Sequence, residues 1–282
     1  MLFLSFLGSV GGIAVLGAAT LLACRRFGVW RVGPVAMLLA AGAGYELTPI
    51  LAVAPLAGLL AGWQVERGRS YGKILAAAAL PGIIQGGLLL AAAQEPREEV
   101  VAQVAGQLEA MGLKLEEGYS ISQVVEMGLR LQPATEFLFI LFIAVLMYRL
   151  GQTGAGWLKL ELPPAIPVRF WRLWDALIWV LIAGLALVLG TQGLSAELGL
   201  NLVVVTGTLY AIQGLALVRF CCWRLGVSRW LEGFLYLTLA LTAGLSVLVL
   251  VVLGLLDTWF DWRRLDTASE EATAERNSQK NV

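Results

Sequence analysis

Residues 231–256 form an unbroken apolar run in which Glu232 is the only charge. A run of that length matches the bilayer's hydrocarbon core, which a helix crosses in ~20 apolar residues. Similar runs fill most of the chain, and the charges gather between them. The expected solvent is therefore lipid. The expected fold is an all-α, polytopic membrane helix bundle with about eight transmembrane helices, including one short broken or re-entrant pair.

Charge usage supports this reading. Only 14% of the 282 residues are charged, against about 25% in a soluble globular domain. Lys and Arg balance Asp and Glu at 20 each, so no basic face for nucleic acid is implied. The chain has no histidine, which removes the commonest general base and the commonest metal ligand. A Ser–His nucleophile is thereby excluded. No paired carboxylates, facing intramembrane aspartates or phosphate-binding glycine pattern stand out. Cys24, Cys221 and Cys222 have no metal-site spacing. Neither an enzyme nor a bound cofactor or metal is expected. The first residues, Met1, Leu2, Phe3 and Leu4, lack the basic start of a signal peptide and read as the first membrane helix.

Helices are expected over about 2–23, 74–93 (with Pro81 inside), 134–150, 176–189, 200–220 and 231–256. The stretch 32–63 would be ~48 Å long as one helix, too long for a single ordinary span. Pro49 disfavours helical geometry at Thr48, so two short helices are expected there. The membrane domain is thus 1–262, and the polar stretch 263–282 reads as a disordered tail. Residues 95–132 form an extracytoplasmic insertion of two amphipathic helices. Pro96 starts the first, and Ser120 with Gln123 proposes a capping box for the second.

Basic residues give the orientation. Arg25, Arg26, Arg31, Arg67, Arg69, Lys73, Arg149, Lys159, Arg169, Arg172, Arg219, Arg224 and Arg229 fall on one side of the eight-helix layout. Under the positive-inside rule that side is cytoplasmic, in a bacterial inner membrane crossed several times. Both termini then lie outside, and Asp257 and Asp261 end the last helix at the outer surface, pairing locally with Arg263 or Arg264.

Polar residues at membrane depth are the pointers to function, because burying an unpaired charge in lipid is expensive. Glu46 sits at the helix break, Gln85 lies four residues after Pro81, and Glu136 and Asn201 begin their helices. Thr206, Tyr210 and Gln213 share a helical face, with Gly207 and Gly214 beside it to open space. These spacings suggest an outward-opening polar pocket with Glu46, Gln85, Glu136, Asn201, Tyr210 and Gln213 as ligand-binding residues. Glutamate would meet a cation, and Tyr210 would stack on a flat solute. The alternative is a scaffold or regulator acting through the outer insertion or the basic loops. Gly8 with Gly12 and Gly58 with Gly62 suit close helix packing. Thr238, Thr242 and Ser246 line one face, where hydroxyls bond their own helix's carbonyls.

The second half also resembles a known family. The carrying residues are Phe170, Trp171, Arg172, Leu173, Trp174, Asp175 and Ala176, then Asn201 with Leu202, then Leu209, Tyr210, Gln213 and Gly214. The closing stretch, Leu256, Asp257, Thr258, Trp259, Phe260, Asp261, Trp262 and Arg263, completes the pattern. The chain resembles the YybS-like bacterial membrane proteins. More distantly it looks like the substrate-binding membrane components of energy-coupling-factor transporters. That resemblance implies capture of a small solute from outside. No ATP-binding residues are present, so energised transport implies an energising partner subunit or an ion gradient.

Overall fold

The computed structural model describes residues 2–46, 49–92, 97–111 and 120–263. Ten α-helices and no strand form among them. The chain divides into two compact units, Met1–Ala165 and Ile166–Val282. Val10–Phe27, Ile121–Leu158 and Leu194–Arg224 are the described single helices long and apolar enough to cross a membrane. Many bulky apolar side chains face outward, among them Trp30, Leu38, Leu189 and Leu248. In water such a surface would be an aggregation hazard; in hydrocarbon it is simply solvated.

The first unit holds α1 (Leu2–Phe27), α2 (Val29–Glu46), α3 (Pro49–Glu66), α4 (Tyr71–Ala92), α5 (Arg97–Ala110) and α6 (Ile121–Leu158). The expected interruption near Pro49 is present. Proline opens α3, where its missing N–H has no helical partner to lose. Thr48 and Pro96 lie outside the described residues. At the head of α2, the Val29 N–H donates to Glu66 Oε1 at 2.7 Å, which ties the two short helices together. Helices α1 and α3 approach closely through glycine. A Cβ on Gly58 would sit 2.4 Å from the Gly17 carbonyl oxygen, and one on Gly62 2.5 Å from Cys24 Cβ. Gly12 has open space around it, while Gly8 lies outside the described side chains.

Helix α6 corrects the expected insertion. The anticipated second outer helix and the anticipated span from residue 134 are one continuous helix, ~57 Å long at 1.5 Å per residue. Pro133 lies inside it without ending it. The capping box forms as the sequence indicated: Ser120 Oγ accepts from the Gln123 N–H at 3.2 Å, and Gln123 Oε1 accepts from the Ser120 N–H at 3.2 Å. Replacing Ser120 by alanine should cost about 1 kcal/mol, visible as faster amide exchange confined to the first turn of α6.

The second unit begins with a 3-10 turn, Val168–Phe170, followed by α7 (Leu177–Gly190), α8 (Leu194–Arg224), α9 (Arg229–Leu241) and α10 (Ala243–Phe260). The run at 231–256, expected as one spanning helix, is two helices bent by 113° at Thr242. Two of the three hydroxyls behave as expected, with Thr238 and Thr242 donating to Phe234 O at 3.0 Å and Thr238 O at 2.8 Å, while the Ser246 hydroxyl meets Thr242 Oγ1 at 2.7 Å. The bend overturns the placement of Asp257 and Asp261 on the face opposite the 168–175 elbow. Arg172 Nη1 lies 3.3 Å from Asp261 Oδ1, and Arg263 Nη1 donates to the carbonyls of Arg169 and Trp171 at 3.0 and 2.9 Å. The elbow and the end of α10 therefore share one end of this unit. Arg263 is a buried structural residue and not the start of a tail; residues 264–282 lie outside the described residues.

Candidate functional site

Two polar clusters are built into these apolar helices, one in each unit. In the first unit, Gly82 and Gly86 lie four apart on α4. A Cβ on Gly82 would stand 3.1 Å from Ile140 Cβ, and one on Gly86 3.2 Å from the Pro133 carbonyl oxygen. The missing side chains bring α4 close to α6, and Gln85 reaches across from the same stretch. Gln85 Nε2 donates to Glu136 Oε2. Gln132, one turn before Glu136 on α6, donates from Nε2 to Oε1 at 3.1 Å. Pro133 lies between them and withholds the N–H that Leu129's carbonyl would otherwise accept.

The chemistry follows from counting acceptor positions. An ionised carboxylate offers about four lone-pair sites, and these two amides fill two. Glu136 is only half-buried, so the rest of its rim is open to an approaching donor or cation. Two fixed amides orient the carboxylate without neutralising it.

The second unit holds a different arrangement. Gln213, fully buried on α8, accepts the Leu173 N–H at 3.0 Å through Oε1. Its Nε2 donates toward Gly254 O at 3.2 Å, and toward Asp257 Oδ2 and Thr258 Oγ1 at 3.1 Å each. Asp257 in turn receives Arg263, whose Nη2 lies 2.6 Å from Oδ2 and whose Nε lies 3.2 Å from Oδ1. Both partners are almost fully buried. Asp257, Arg263 and Gln213 together close α8, α10 and the elbow with their polar groups largely satisfied from within the protein. This is a latch, and it leaves little for a ligand to hold.

The six residues singled out in the sequence are placed as follows. Gln85 and Glu136 meet in the first unit. Tyr210 and Gln213 lie in the second, both fully buried. Asn201 is buried and donates to Glu197 O at 2.9 Å, a bond within its own helix. The side chain of Glu46 lies outside the described residues. The space expected beside Gly214 is filled: a Cβ there would lie 2.0 Å from the Leu250 carbonyl oxygen. Sequence reasoning missed Gln132 as a partner of Glu136, although its i, i+4 spacing was readable. It also missed the depth of Arg263.

Residues 20–258 match the family described as DUF2232, predicted membrane protein. The chain belongs to this family. No curated protein and no solved structure matches it. The matched region takes in Gln85, Gln132, Glu136, Gln213 and Asp257, and stops short of Arg263. The match is to a membrane protein family and extends neither to the YybS-like name nor to energy-coupling-factor components.

Proposed function

We propose that this chain is a multi-pass protein of the bacterial cytoplasmic membrane that binds, and with a partner or ion gradient carries, a small cationic or amine-bearing solute at Glu136. The carrying observation is a half-buried carboxylate on an apolar helix, held by two amides and with acceptor positions still unfilled. Ionisable side chains at membrane depth are costly and are the default markers of solute or ion paths. The basic ends of the helices face the cytoplasm. In this layout α9 and α10 form a re-entrant pair, which returns the end of α10 to the elbow's side, and the crossings number fewer than eight. Binding, not catalysis, is the role these groups suit.

The test uses the full-length protein in mild detergent. Native mass spectrometry reads any retained small molecule or protein partner. Thermal unfolding is then followed against a panel of small cations and primary amines. A member of the panel should raise the melting temperature of the parent protein. Glu136→Gln should weaken that effect at least about tenfold, since hydrogen bonds to a charged group contribute about 1.5–3 kcal/mol. Gln85→Leu should weaken it less. An unchanged response in Glu136→Gln, or no retained molecule and no shift across the panel, would exclude a solute site here. A co-purifying protein lost on removing 97–111, with the α6 residues around Glu136 kept, would favour the scaffold reading instead.

A further inference from the structure

Helix α9 carries no buried residue among its thirteen, yet it does not stand clear of the bundle. Between it, α8 and α10 run two adjoining clefts of about 420 and 390 Å³ that share Cys222, Val227 and Leu235. Their walls are apolar, with Leu217 and Phe220 from α8, Phe234 from α9 and Leu253 from α10. The charged lining residue is Arg224, at the last turn of α8.

The charges around this groove are unequal. Arg219 is engaged by Glu232, at 3.5 Å. Arg224 and Arg229 are exposed, and neither has an ion-pair partner among the described residues. The groove is therefore apolar along its length and positive at its end. It flanks a helix long and apolar enough to cross a membrane, so lipid is the molecule at hand.

We propose that this groove binds one acyl chain of an anionic phospholipid, with Arg224 on the phosphate and Arg229 adding to the attraction. Guanidinium forks match phosphate oxygens with two parallel hydrogen bonds. Clusters of basic residues at helix ends recognise anionic headgroups in this manner. A zwitterionic lipid supplies the same chain and phosphate, but its ammonium offsets the attraction. Headgroup charge is thus what the site reads.

The experiment titrates delipidated full-length protein in mild detergent with dioleoyl phosphatidylglycerol or dioleoyl phosphatidylcholine. Native mass spectrometry counts retained lipid, and thermal unfolding gives the stabilisation. One phosphatidylglycerol should be retained and should raise the melting temperature, with phosphatidylcholine binding about tenfold more weakly. Arg224→Gln with Arg229→Gln should remove the preference while leaving the lipid-free melting temperature unchanged, because both side chains are exposed. Leu235→Trp, which fills the groove, should lower binding of both lipids. If that variant fails to fold, the arginine pair decides alone. Equal affinity for the two lipids, or undiminished phosphatidylglycerol binding by the arginine variant, overturns the proposal.

Discussion

Replacing Arg263 with alanine should destabilise the second unit by about 3–5 kcal/mol, the usual cost of leaving one member of a buried ion pair alone. The substitution strands Asp257, whose side chain is only 2% exposed. It also removes the donor that serves the carbonyls of Arg169 and Trp171. The elbow and α10 would lose their shared anchor together. Thermal unfolding followed by tryptophan fluorescence is suited to this, since Trp171, Trp223 and Trp262 all belong to the unit. A fall of roughly 10 °C is expected. Arg263→Lys should recover only part of the loss, because an ammonium cannot reproduce a fork that spans a carboxylate and two carbonyls. The pair Asp257→Asn with Arg263→Gln should cost less than Arg263→Ala alone, since it leaves no buried charge uncompensated. A shift under 2 °C for Arg263→Ala would mean that water reaches the pair and that the latch contributes little.

The helices were legible in the sequence wherever local chemistry marks them. Pro49 opens α3, the Ser120–Gln123 box opens α6, and the apolar stretch at 74–93 lies on α4 within a few residues. Direction was not legible. Leu241, Thr242, Ala243 and Gly244 contain neither a proline nor a charge, so hydropathy carries straight through the bend. What holds the bend is distant in sequence, namely the contacts of α10 with α8 and with the elbow. Pro133 shows the converse, a strong local breaker that a continuous helix absorbs. The same division holds for the candidate site. Gln85 and Glu136 stand out as polar groups in apolar runs, but their meeting depends on Gly82 and Gly86 drawing α4 onto α6. Arg263 read as the first residue of a polar tail because its sequence neighbours are polar, whereas its partners lie six and more than ninety positions away.

The crossing of α8 and α10 should be the least tolerant place in the second unit for added volume. A Cβ on Gly214 would sit 2.0 Å from the Leu250 carbonyl oxygen and 2.8 Å from its carbon; one on Gly254 would sit 2.0 Å from the Tyr210 carbonyl oxygen. Those are backbone atoms, so no side chain can rotate away to make room. Gly214→Ala or Gly254→Ala must therefore push the helices apart, at a cost of about 3 kcal/mol, the upper part of the range for an overpacked core. The separation would also stretch the bonds from Gln213 to Gly254, Asp257 and Thr258. The two substitutions together should cost less than their sum, because one displacement accommodates both. Gly207→Ala is the control. It lies on the same helix with nothing within 4 Å, so it should be neutral or stabilising by up to about 1 kcal/mol through helix propensity alone. Equal melting temperatures for Gly207→Ala and Gly214→Ala would place the crossing elsewhere on α8. A loss confined to Gly214 and Gly254 would tie the fold-back of α10 to two absent side chains, since each lets one helix meet the backbone of the other.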